Sequence, residues 1–131
     1  MSGLSNYMQT SILNWIKGTT FPAAPAAVFV GLYDGDPTDA ANAGVEVTNS
    51  IRTAGRVAVS FGTITTNNTI TNSVEVDFGL AANSADVTHF ALFTTDVGGV
   101  MIGSAALSSV EAVVTNDQVK FPVGSLTITI D

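Results

Sequence analysis

From residue 28 onward the chain is a series of short runs in which apolar and polar residues alternate, separated by turn dipeptides, and this constrains its fold more than anything else. A period of two sends alternate side chains to opposite faces, so such runs are strands with one face in a core and one in water. In Arg56 to Phe61, Val57, Val59 and Phe61 point one way and Ala58 and Ser60 the other. Val74, Val76 and Phe78 alternate with Glu75 and Asp77, which are predicted to face water. Within Val87 to Thr95, Phe90 and Leu92 share one face while His89, Ala91 and Phe93 share the other. Leu126, Ile128 and Ile130 alternate with threonines to the C-terminus. Val28 to Tyr33 is apolar on both faces, which predicts a central strand covered on both sides. Turns fall at Asn67-Asn68, Gly98-Gly99 and Asn116-Asp117. Val100 to Leu107 returns from the glycine pair as a strand whose small residues Gly103, Ser104 and Ala105 mark a close approach, and Val119 to Phe121 is a short strand ended by Pro122. The expected fold is mainly β: an antiparallel β-sandwich or jelly-roll-like body of roughly seven or eight strands, with one N-terminal α-helix.

That helix is predicted over Leu4 to Lys17. Leu4, Tyr7, Met8, Ser11, Ile12, Trp15 and Ile16 recur at three- and four-residue steps, Ser2 or Ser5 is placed to cap the start, and Gly18 to stop it. Pro22 and Pro25 keep the following Thr19 to Ala27 segment extended. The organisation is one domain, with an amphipathic helix in 1–18, a Pro/Ala linker in 19–27 and a sandwich body in 28–131. A helix of this kind either closes one end of the core or serves as an arm that docks on a neighbour. In the second case Leu4, Tyr7, Met8, Ile12 and Trp15 are the candidate subunit contacts.

Composition decides which chemistries are open. Eleven acidic residues against four cations give a net charge of -7, which repels phosphate backbones and anionic lipid surfaces, so neither nucleic acid nor membrane is an expected partner. No apolar run has the length of a membrane-spanning helix, and the first residues have neither the basic start nor the cleavage site of a signal peptide. Only 11% of the residues are charged while 46% are hydrophobic, against roughly 25% charged in ordinary soluble domains. Such a balance suits a protein that hides surface against other subunits. There is no cysteine, hence neither disulfide nor thiolate ligand.

Asp34, Asp36 and Asp39, with Glu46 nearby, have the residue types of a hard-cation site. Their spacing departs from the calcium-loop pattern: counted from Asp34, the twelfth position is Val45 and the glycine falls at 35, not 39. A solvated acidic turn is the expectation. His89 stands alone as an imidazole, Glu75 and Asp77 are the wet side of a strand, and neither a phosphate-binding glycine loop nor a nucleophile elbow is present. The expectation is accordingly no catalytic residue, no metal and no cofactor.

Several segments in sequence order carry a resemblance. They are Leu4-Ser5-Asn6-Tyr7-Met8, Val28 to Tyr33 followed by Asp36-Pro37, Arg56 to Phe61, Thr88 to Phe93, Val119-Lys120-Phe121, and Ser125 to Asp131. With these the chain resembles a family of small tailed-bacteriophage virion proteins labelled head-decoration or tail-fibre-like. The resemblance implies a non-enzymatic structural protein present in many copies. Its leading implication is a capsid decoration, or cement, protein on the outer surface of the head, contacting the major capsid protein and copies of itself as a dimer or trimer. A tail or tail-fibre-associated adsorption protein is the alternative. A surface carbohydrate-binding module is a third; it requires exposed aromatics and a carboxylate pair in a cleft, whereas the ten aromatics lie mostly on strand faces expected to be buried.

Overall fold

The structure, a computed structural model, describes residues 3–130. In chain order its elements are β1 (Gly3–Leu4), α1 (Asn6–Ile16), β2 (Val28–Asp34), β3 (Val45–Glu46), α2 (Thr48–Ile51), β4 (Val57–Val59), β5 (Thr69–Thr71), β6 (Val76–Leu80), β7 (Ala85–Phe93), β8 (Met101–Val113), β9 (Gln118–Phe121) and β10 (Thr127–Thr129). All strand pairs are antiparallel. The fold is thus mainly β with one N-terminal helix of any length. Ten strands stand where seven or eight were expected, because β1 and β3 are two-residue pieces too short to leave a periodic signal.

One six-stranded sheet forms the first layer, in the order β1-β8-β7-β2-β3 with β4 also paired to β2. The prediction that Val28 to Tyr33 is central holds: β2 pairs with β7 along one edge and with β4 and then β3 along the other. Two ribbons, β5 with β10 and β6 with β9, make up the opposing layer. Val30, Leu32, Phe90, Leu92 and Ala105 from the sheet meet Val76, Phe78, Leu126 and Ile128 from the ribbons in the main core. Burying one such side chain is worth roughly 1.5–3 kcal/mol, so this cluster dominates the stability of the body. Register keeps the faces apart: Leu32 lies opposite Phe90 and Val30 opposite Leu92, while Gly31 lies opposite Ala91 and Phe29 opposite Phe93 on the outer face.

Asn72 joins the two ribbons. It is 1% exposed, and its side-chain amide donates to the carbonyls of Val74 and Pro122, both at 3.0 Å, while its oxygen accepts the Leu126 N–H at 2.9 Å. Two segments distant in sequence, 72–74 and 122–126, are pinned by one side chain, with no buried polar atom of it left unpaired.

Three expectations need correction. Leu4 belongs to strand β1, not to the helix, because Gly3 and Leu4 pair with Ser104 and Gly103 and the Ser5 N–H bonds the Ile102 carbonyl. Ser5 then accepts the Met8 N–H at 3.2 Å as the cap, and Ser2 lies outside the described residues. Val74 does not continue the buried face of Val76 and Phe78, since the chain turns at Asn72 and leaves it 57% exposed. The strand expected over Val100 to Leu107 runs on to Val113, carried by its pairing with Ala85 to Val87 of β7. The turn at Gly98-Gly99 is as expected, with positive φ at both residues.

Candidate functional site

Helix α1 lies against β8, and Ser11 is its buried residue. A small side chain suits a position where the helix packs closely on the strand. The Ser11 hydroxyl donates to the Tyr7 carbonyl at 2.8 Å and so needs no outside partner. Leu4, Met8 and Ile12 flank this seam and are half-buried. Tyr7 and Trp15 point outward, Trp15 with 62% of its surface exposed. The five predicted contact residues therefore divide: three turn toward the protein's own body and two face away from it.

The outward pair is joined by residues that the stripe did not single out as contacts. Leu13, Ile16 and Phe21 are all exposed, and Trp15 and Phe21 line one shallow hollow with Gly18, Thr19 and Thr20. Leu13 was missed because it lies off the three- and four-residue steps that start at Leu4. The lone aromatic in a Pro/Ala segment was the available signal for Phe21. No residue of α1 enters the main core.

A second feature is a cleft of about 640 Å³ between the two layers. Leu32, Val87 and Phe90 are at its floor, and Leu107, Val119 and Phe121 are in its walls. It exists because β1 covers β8 only at Gly103 and Ser104, so that, among the described residues, the β8 edge beyond Ser104 has no strand partner. β9 likewise pairs only with β6. Nothing in the alternation of either strand announced the gap, which depends on how the layers splay.

On the outer face of the sheet the best-defined polar group is a clamp around Arg56. Its guanidinium meets Glu46 in a two-pronged pair, Nη2 to Oε1 at 2.8 Å and Nε to Oε2 at 2.9 Å. Nη1 donates to the carbonyls of Thr95 and Gly98. The plane lies over the Phe93 ring, 3.4 Å from its centroid, and Phe93 in turn stacks on Tyr33 at 6.3 Å. Thr48 accepts the Leu32 N–H and donates to Glu46 Oε2. Burial raises the Glu46 pKa, but the bonds from Arg56 and Thr48 and the charge of Arg56 outweigh it, and the net shift is downward. Tyr33 moves upward, through burial first and the Glu46 charge second, against the Arg56 charge. With four of its five N–H donors engaged and its plane set against Phe93, Arg56 serves here as a structural lock. Gly31 makes it possible: a Cβ there would stand 2.9 Å from Glu46 Oε2 and 3.1 Å from Phe93.

The acidic loop residues disperse. Asp36 accepts the Thr38 N–H at 2.8 Å, Asp39 accepts from the Gln9 amide at 2.9 Å, and Glu46 is committed to Arg56. Among the described residues no group of three or more His, Asp or Glu is placed to share a metal ion. His89 Nδ1 shares a hydrogen bond with the Thr88 hydroxyl at 2.8 Å. Glu75 is exposed and faces Lys120 at 3.7 Å, and Asp77 caps Gly79 and accepts from Gln118.

The features open to a partner are thus the exposed apolar side chains at the end of α1 and a cleft with an apolar floor and a mixed rim on an antiparallel β body. A family model described as Podophage GP4 fiber I protein gp80 matches residues 3–129, almost the whole chain. The class is that of bacteriophage structural proteins, and the chain belongs to this fibre protein family. A search of curated proteins finds no match.

Proposed function

We propose that the chain is a multi-copy component of a phage fibre, forming part of the virion rather than acting on a substrate. The match to a fibre protein over residues 3–129 carries this reading. Mechanically the body is suited to bear load: its core spans both layers, Asn72 ties the ribbons, and the Arg56 clamp fastens the hairpin at 94–100 to the sheet. The exposed face of α1 supplies adhesion to neighbouring subunits. A capsid decoration role is the second reading, favoured by the same exposed helix and extended linker, which suit a bracket laid over the major capsid protein at the outer surface of the head. Copy number separates the two. Quantitative densitometry of purified particles is expected to give tens of copies for a fibre, whereas hundreds would establish decoration. Immunogold labelling of the same particles is expected to mark the tail or a fibre, and uniform labelling of the head would overturn the fibre reading.

A further inference from the structure

We propose that the outward end of α1 and the linker after it, centred on Trp15, Ile16 and Phe21, seat in the cleft between β8 and β9 of a second copy of this chain. This rests on the reading of the chain as an assembling virion protein and names how its copies meet.

The first observation is the pairing of an uncovered knob with an unfilled hole. Trp15 and Ile16 are each more than three-fifths exposed, and Phe21 adjoins Trp15. Single exposed apolar residues are ordinary, but a contiguous patch marks a contact. The cleft, at about 640 Å³ with a floor of core residues, lies within the roughly 300–1,000 Å³ of sites that enclose groups of this size.

Charge then selects the occupant. All eleven acidic residues and three of the four cations follow Ala27, which leaves the body at -8 and the helix with its linker at +1. Two bodies repel, whereas the helix and linker are drawn to a body. The one charge they carry is Lys17, which sits among the knob residues and, among the described residues, has no side-chain partner. The cleft is lined by Glu111 and Asp117, while its Lys120 already faces Glu75.

Geometry makes the contact intermolecular and directional. Helix α1 is tied to the first part of β8 through Gly3, Leu4 and the Ser5–Ile102 bond, and the cleft lies along the part from Ala105 onward. Knob and hole are different patches, so the contact is heterologous and propagates head to tail, closing into a ring when the rotation between copies permits.

The chain has no cysteine, which makes cross-linking clean. Thr19→Cys and Ser108→Cys, both at exposed positions, are mixed in equal amounts under mild oxidation. Heterodisulfides are expected to dominate. Predominant Ser108→Cys homodisulfides would mean that copies join edge to edge along β8, and would overturn the proposal. In sedimentation equilibrium, Trp15→Ala with Phe21→Ala is expected to weaken self-association by about 30-fold or more, with an unchanged melting temperature showing that the fold is intact. Lys17→Glu and Glu111→Lys are each expected to weaken it by about 2- to 5-fold, and together to restore it. A wild-type chain that is monomeric at about 100 μM would overturn the exchange between copies. If that monomer still co-sediments with phage particles, the virion role stands without it.

Discussion

Arg56 shows how one residue can govern both faces of a local structure. Its charge is satisfied by Glu46, its donors by two backbone carbonyls, and its plane by Phe93. Glu46→Gln leaves the guanidinium, 8% exposed, without its counter-charge. The expected cost is about 2–3 kcal/mol at neutral pH, read as a lower urea midpoint. Because the folded pKa of Glu46 is below its ordinary 4.5, the stabilisation is complete above that value and is lost as pH falls through the lower folded value. The stability gap between wild type and Glu46→Gln is therefore expected to narrow in acid, and a gap constant from pH 7 to pH 3 would show that the carboxylate charge is not what holds Arg56. Gly31→Ala tests the same clamp from beneath. Its Cβ has no room beside Glu46 and Phe93, so a loss of about 1–3 kcal/mol is expected although the backbone conformation suits alanine.

At the level of elements, the two ribbons depend on Asn72 and the helix does not depend on its outer face. Asn72→Ala removes three hydrogen bonds and leaves the buried Leu126 N–H without its acceptor, while the Pro122 carbonyl keeps its bonds from Ser125. A loss of about 2–4 kcal/mol is expected in chemical unfolding. Asn72→Asp is expected to be worse at neutral pH, since a carboxylate would face the carbonyls of Val74 and Pro122, and to recover partly in acid as it protonates. Leu13→Ser with Ile16→Ser is the contrasting case. Both side chains are more than three-fifths exposed in a single chain, so the monomer's stability is expected to change by no more than about 0.5 kcal/mol each. A large loss would mean that this face is already covered within the chain.

For the molecule as a whole, the surplus of negative charge opposes any contact between bodies. Added salt screens that repulsion, with the Debye length falling from roughly 10 Å at 0.1 M to 3 Å at 1 M. Self-association is expected to tighten as sodium chloride is raised through this range, measured by light scattering. Weakening instead would identify ion pairing, and not apolar burial, as the source of adhesion. Under the proposed assembly on a virion, copies would be held at high local concentration, so that modest contacts suffice.

The faces of β2, β4 and β7, the turn at Gly98-Gly99 and the span of α1 to within two residues were determined by the sequence alone, because alternation, helical spacing and turn chemistry act over a few neighbouring residues. The same local rules assigned Leu4 to the helix and Val74 to a buried face. In both cases a distant partner, β8 for Leu4 and the Asn72 bracket for Val74, overrode the pattern. The Arg56–Glu46 clamp joins residues ten apart along one edge of β2, and the cleft lies beside the part of β8 that outruns β1. Which apolar side chains of the N-terminal segment end up inside or outside was likewise decided by tertiary structure, since a stripe defines a face of a helix but not the surface that face will meet.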